Sequence, residues 1–258
     1  RLIGNPQQPR LVAIKSGRDH TLALETMAVK RLSDLEELDL SGFVFKKDSP
    51  SCGVERVRTY NEHGMPGRKG VGLFARAFLD RFPLIPVEEE GRLCDPLLRE
   101  NFIERVFCYR RWQDLIQRGV TRQGLVRFHT VHKYLLLAHS APHYRQLGRL
   151  VAQVNEYRPK DLAIRYGELF MQALAAKATV RKHVNVLQHI LGHFKERLDA
   201  QEKAELLGVI ADYHQGLTPL IVPLTLIKHY VQLFDVEYIR DQVYLNPHPK
   251  ELMLRNHV

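Results

Sequence analysis

Cysteine is scarce in this sequence, with three among 258 residues, at Cys52, Cys94 and Cys108. So few, and an odd number, cannot staple a disulfide scaffold, which points to a reducing compartment, the cytoplasm. Long apolar runs are missing too. The longest, at 135–138 and 220–227, fall far short of the roughly 20 residues that span a bilayer, so no membrane partner is expected. No initiator methionine and no signal or transit segment is visible. The opening Arg1-Leu2-Ile3-Gly4-Asn5-Pro6 reads as a loop entering a strand, and residues upstream of it are expected to be missing. Disorder is excluded, because 45% of the residues are apolar and only 26% are charged.

What is present divides into two textures. Residues 1–95 alternate strand-like runs and helical stretches. Leu11-Val12-Ala13-Ile14 and Gly42-Phe43-Val44-Phe45 read as strands, as does Leu84-Ile85-Pro86-Val87. The spacing of Leu22, Thr26, Val29, Leu32, Leu35 and Leu38 predicts a helix over 19–38, and a second follows over 70–82. This alternation predicts an α/β domain with a parallel sheet, an incomplete Rossmann-like three-layer arrangement with only about three strands. From residue 96 the pattern is helical throughout, giving an all-α domain over 96–258 and a predominantly helical chain. Pro96 opens the first of these helices, running to Arg118. Thr121 caps the next, expected to continue through Leu136, and further helices are predicted over 142–157, 159–178, 180–198, 201–215, 219–234 and 235–243. Asn246-Pro247-His248-Pro249 reads as a rigid turn that ends the last helix.

The formal charge of +9 is unevenly placed. Residues 99–158 hold 11 Lys and Arg against 4 Asp and Glu, whereas the flanking stretches are nearly balanced. Such a patch can bind a phosphate backbone or simply be a solvated helical face. Arg110, Arg111, Trp112, Arg145 and Arg149 are the candidate nucleic-acid residues, since Arg beside an aromatic ring suits nucleobases as well as phosphates. No helix-turn-helix, zinc-finger or RNP signature accompanies them. This is the alternative function: a non-catalytic helical module binding nucleic acid or a protein through 99–158. No feature fixes an oligomeric state.

The sharpest local feature is Lys46-Lys47-Asp48-Ser49-Pro50-Ser51-Cys52-Gly53, where a strand runs into a tight turn that carries a cysteine beside two lysines and two hydroxyls. Sites form at the carboxyl ends of strands in α/β sheets, and nearby positive charge favours the thiolate. Spacing alone leaves open a plain turn with a small buried thiol. Gly64-Met65-Pro66-Gly67-Arg68-Lys69-Gly70-Val71-Gly72 is Gly-rich and basic but lacks either phosphate-loop spacing, and reads as a flexible surface loop. Eleven of the 13 histidines follow residue 128. His189 and His193, four apart, would share one helical face and form the alternative metal pair; His129 and His132 are a weaker one. Roles in the helical interior or an interface suit these residues as well.

Residues 43–53, with Lys47-Asp48-Ser49-Pro50-Ser51-Cys52-Gly53, resemble the last cysteine motif of the bacterial thiouracil desulfidase (YbbK-like) family, as do Gly70-Val71-Gly72-Leu73-Phe74-Ala75-Arg76 and 84–91. The remainder resembles the YbgA-type helical domain, through 128–140, Val186-Leu187-Gln188-His189-Ile190-Leu191-Gly192, 216–223 and Tyr244-Leu245-Asn246-Pro247-His248-Pro249. The resemblance implies iron–sulfur-dependent, non-redox removal of sulfide from thiouracil or another thiolated pyrimidine. It implies a three-cysteine [4Fe–4S] cluster whose open iron takes the substrate sulfur, with Cys52 as one ligand. Ser49 and Ser51 would position substrate or water, and Lys46 or Lys47 would stabilise the pyrimidine anion. The other two ligand cysteines of that family are absent from this chain, so the cluster is expected in the full-length protein and not in the chain as given, which is expected to be inactive. Cys94 and Cys108 have no ligand role in the family pattern and are read as packing thiols.

Overall fold

The computed structural model describes all 258 residues and is 58% helical, with a small mixed sheet in its N-terminal part and a helical C-terminal region. The chain forms two compact units, Arg1–Leu98 and Arg99–Val258. No helix is long and apolar enough to cross a membrane.

In the first unit, β1 (Leu2–Ile3) lies between β2 (Arg10–Leu11), antiparallel to it, and β4 (Val57–Tyr60), parallel to it. β5 (Pro66–Gly70) completes the sheet in the order β2-β1-β4-β5. The Gly-rich stretch is therefore the second arm of a hairpin and not a loose loop. Gly70 is required there, because a Cβ would lie 2.3 Å from Thr59 Oγ1 and 2.8 Å from the Val57 carbonyl. β3 (Phe43–Phe45) and β6 (Val87–Glu89) form a separate parallel pair in the register Phe43–Val87 and Phe45–Glu89. A parallel pair needs a crossover, and α2 (Leu73–Arg81) lies on the connecting segment. The α/β texture is as expected, but the strands divide into a mixed sheet and this pair.

Aromatic packing fixes the β3–α2–β6 corner. Phe78 sits 4.5 Å from Phe43 and 5.3 Å from Phe45, centroid to centroid, with Phe74 and Phe82 completing the cluster. α1 (Thr21–Glu36) is shorter than the periodicity predicts. It buries Ala28, Leu32 and Leu35, while Leu22 and Val29 lie off the buried stripe and Leu38 lies past the helix end, so all three stay exposed. Ile14 is likewise exposed: beyond Leu11 the expected strand keeps only a single bridge, from Val12 to Asp19.

The second unit is helical. Its elements are α3 (Pro96–Gln117), α4 (Arg122–Val131), α5 (Lys133–His139), α6 (Ala141–Ala152), α7 (Pro159–Ala175), α8 (Val180–Leu191), α9 (Ala200–His214), α10 (Ile221–Leu233) and α11 (Glu237–Arg240). Thr121 and Thr179 each accept a backbone N–H at a helix start, and Asp199 forms a reciprocal capping box with Glu202. The helix expected through Leu136 breaks at His132, whose φ of −95° and ψ of 1° separate α4 from α5. Trp112, Phe128, Tyr166 and Phe170 pack together; Gly167 admits the indole, since a Cβ there would meet it at 2.8–3.0 Å. After α11, three short 3-10 turns bring the chain back, and the Leu220 N–H donates to the Val258 carbonyl at 2.7 Å.

Candidate functional site

The Cys52 loop is built by its own serines. Ser49 Oγ accepts from the backbone N–H of Cys52 at 3.2 Å and of Ser51 at 3.3 Å, and the Gly53 N–H donates to the Ser49 carbonyl at 2.9 Å. Ser49 Oγ and Ser51 Oγ are 3.0 Å apart, and Ser51 Oγ is 3.3 Å from Cys52 Sγ. The thiol is half-buried at the end of this hydroxyl chain. Asp48, at a φ of 55°, makes the sharp entry to the turn.

Two neighbouring elements then clamp the loop. The N–H groups of Gly72, Leu73 and Ala75, at the start of α2, donate to the carbonyls of Gly53, Pro50 and Ser51 at 2.8, 3.3 and 3.0 Å. They use the donors that a helix start leaves unpaired. Gly72 is needed for this approach: a Cβ would lie 2.4 Å from the Ser51 carbonyl carbon and oxygen. From β6, the buried Glu89 carboxylate accepts from the Val54 and Glu55 N–H groups at 2.8 and 3.2 Å. Glu90 accepts from the Lys47 N–H at 2.7 Å and pairs with Lys46 Nζ at 3.0 Å. The Lys46 and Lys47 side chains are exposed, and Lys46 is committed to Glu90. Glu89 and Glu90 were not foreseen; a run of three glutamates after a strand looks like a solvated turn.

A second constellation lies buried in the helical unit. Glu104 is 2.5 Å from His139 Nε2, whose Nδ1–H donates to the Ala176 carbonyl at 2.6 Å. Nδ1 carries a proton toward the carbonyl, and the Glu104 carboxylate favours a second one on Nε2. Burial pushes the His139 pKa down, but Glu104 outweighs burial and holds it above its usual value. For Glu104, burial pushes the carboxyl up; the charge and hydrogen bond of His139, then Arg255, overcome this and hold it at about 2. Arg255 Nε reaches Glu100 and its Nη2 reaches Glu104, both at 3.1 Å, while Nη1 donates to the Tyr244 carbonyl at 2.6 Å. The Tyr244 hydroxyl meets His183 Nδ1 at 3.0 Å.

Residues 1–90 match the family model of 2-thiouracil desulfurase, and residues 133–249 match that of a protein family of unknown function, DUF1722. A protein of Escherichia coli (strain K12), "Uncharacterized protein YbgA", is 34% identical over 158 residues, which are 61% of this chain and 94% of that protein. This chain belongs to the YbgA family. Both resemblances read from the motifs are thus found, with the desulfurase model lying within the first unit and the DUF1722 model within the helical one. No solved structure matches the chain.

The YbgA-family unit does not present its basic candidates as one surface. Trp112 is buried against Tyr166 and Phe128, so it cannot stack on a nucleobase. Arg110 pairs with Asp114 at 2.9 Å, and half-buried Arg111 reaches the Asn246 carbonyl at 3.4 Å. Arg145 and Arg149 are exposed one turn apart on α6. The histidine pair also separates: α8 ends at Leu191, so His193 leaves the helical face of His189, and its Nε2 is 2.7 Å from the Tyr134 hydroxyl. His129 and His132 are split by the end of α4; His132 Nδ1–H donates to the Phe128 carbonyl and His129 Nδ1 meets the Tyr166 hydroxyl.

The residues present do not fit a three-thiolate cluster. Cys52 stands in its loop, Cys94 is exposed, and Cys108 lies in the core of the helical unit, where burial and then Glu104 push its thiol up to about 12. No group of three or more His, Cys, Asp or Glu side chains converges where a metal ion could sit.

Proposed function

We propose that the first unit is the sulfur-handling part of a desulfuring enzyme acting on thiouracil or a related thiolated pyrimidine. The reaction is hydrolytic: the ring C=S and one water give C=O and hydrogen sulfide, with no net redox change. The reading rests on one coincidence, that the segment matching 2-thiouracil desulfurase contains a half-exposed thiol in a loop clamped by the α2 start and by Glu89 and Glu90. Cys52 is the soft donor of the site, the ligand type that a cluster iron favours. Ser49 holds the turn, and Ser51, whose hydroxyl faces Sγ, positions substrate or water. Lys46 is tied to Glu90, which leaves Lys47 as the candidate to face a pyrimidine anion.

Of the three thiolates that a [4Fe–4S] site needs, residues 1–258 supply one at this loop. The test therefore uses the product of the complete gene, reconstituted anaerobically with iron and sulfide. Sulfide release from 2-thiouracil is expected from the wild type, to fall below a hundredth of that value in Cys52→Ala, and to survive in Cys94→Ala. Equal release by Cys52→Ala and the wild type would overturn the reading.

A further inference from the structure

The segment 244–256 closes a small recess against α10, and its polar lining is uniformly basic or neutral. Lys228, Asn246, His248, Lys250, Arg255 and Asn256 face it, with no carboxylate among the lining residues. Its volume is about 40 Å³, above the roughly 10–15 Å³ that one water needs on the same measure. The geometry points to a binding site for a small oxyanion, a phosphoryl group, in this recess.

Three observations carry the assignment. His248 is buried, 9% exposed, and its Nε2 has no partner at all, although buried polar atoms are almost always paired. Its Nδ1–H donates to the Pro249 carbonyl at 3.2 Å, which leaves Nε2 to accept from a protonated phosphate oxygen or, once protonated, to donate to an ionised one. Second, the two lysines have no carboxylate partner at the recess, whereas Arg255 is held by Glu100 and Glu104, and Glu104 also acts on His248. Burial, then the charges of Arg255 and Lys250, push the Lys228 amine down, and no carboxylate offsets them. Arg255 spends its guanidinium on Glu100, Glu104 and the Tyr244 carbonyl, so the donors left for a ligand are the two lysines and the two asparagine amides. Third, the walls are preset. Pro247 and Pro249 bracket His248 and fix the backbone on either side, and Met253, at a φ of 51°, turns the chain so that Arg255 and Asn256 return to the same recess. A lysine pair, amide donors and an unpaired imidazole around a space of one small group match phosphate better than chloride, which offers no proton to Nε2.

The ligand is either free phosphate or the phosphate of a monoester, and titration distinguishes the two. Inorganic phosphate and phenyl phosphate are each added to the full chain at constant ionic strength, with chloride as the control. Binding is followed by calorimetry and by the ¹⁵N resonances of the His248 ring. Inorganic phosphate is expected to bind saturably, at least tenfold tighter than chloride, and to shift the His248 Nε2 resonance. Phenyl phosphate binding equally well assigns the site to monoesters; its failure assigns it to the free ion. Lys250→Met, on the exposed turn, and Lys228→Met, which keeps the aliphatic stem in α10, should each weaken binding about tenfold, and His248→Gln should remove most of the preference for phosphate over chloride. No saturable binding, or equal binding by the wild type and the Lys228→Met, Lys250→Met double variant, would overturn the proposal.

Discussion

Gly72 controls the site although it carries no functional group. The α2 start comes so close to the Cys52 loop that a Cβ at residue 72 would lie 2.4 Å from the Ser51 carbonyl and 2.7 Å from the Cys52 nitrogen. Both are backbone atoms held by hydrogen bonds, so neither can yield the way a side-chain tip does. Overpacking of this kind costs about 1–3 kcal/mol, and the upper end is expected. Gly72→Ala should therefore lower the urea midpoint of the first unit and reduce sulfide release, because relief of the clash moves the Cys52 backbone itself. Gly67→Ala is the control, since the nearest atom to its Cβ would be at 3.7 Å. An unchanged midpoint in Gly72→Ala would mean that the loop adapts and is not clamped.

At the scale of elements, the buried ions of the helical unit tie its last turn to its first helix. Glu100 and Glu104 lie on α3, His139 ends α5, and Arg255 comes from the final 3-10 turn. Removing one partner leaves an uncompensated buried charge, which costs about 3–5 kcal/mol. Arg255→Met and Glu104→Gln should each destabilise by that order in denaturant unfolding, and the double variant by less than their sum, since the two residues share one network. Strict additivity would show that they act independently. None of this was legible from sequence, where Glu100 and Glu104 look like part of a solvated helix and Arg255 like a tail residue. Helix starts were legible, because Thr121, Thr179, Asp199 and the prolines at 96 and 159 announce them chemically. Helix ends at Ala152 and Leu191 were not: apolar residues such as Phe194 and Leu198 stay buried beyond the helix, so the hydrophobic pattern runs past it. The Cys52 turn was legible from its Ser-Pro-Ser-Cys-Gly chemistry, whereas the glutamate clamp depends on a strand pairing between residues more than 40 apart. Trp112 misled because an Arg-Arg-Trp triplet in one dimension says nothing about which face of α3 points inward.

At the scale of the whole molecule, buried histidines make stability depend on acid. Burial holds His129 at about 4 and His132 and His183 at about 3, below the roughly 6.5 of an unfolded histidine. Each contributes stability that is present above pH 6.5 and lost as the pH falls through the interval toward its folded value, because the unfolded chain binds the proton first. His139 acts with the opposite sign. Its raised value gives stability below about pH 6.5 that is lost as the pH rises through the folded value. Glu104, held down, adds stability above about pH 4.5 that is lost on further acidification. Well below pH 6.5 His139 is protonated in both states and offsets nothing, and the three lowered histidines outweigh the one raised carboxyl, Glu100, so the urea midpoint should decline from about pH 6.5 downward and steepen below pH 4.5. A flat profile between pH 7 and 5 would contradict the burial of these rings as neutral groups.

Desulfuration by the complete gene product is proposed to depend on one thiol, Cys52. The most direct measurement is sulfide release from 2-thiouracil by the complete gene product in which Cys94 and Cys108 are both replaced by alanine, beside the same protein with Cys52 alone replaced. Activity close to wild type is expected in the first and none in the second. Activity that persists without Cys52, or that vanishes with Cys94 and Cys108 while the protein remains folded, would contradict it.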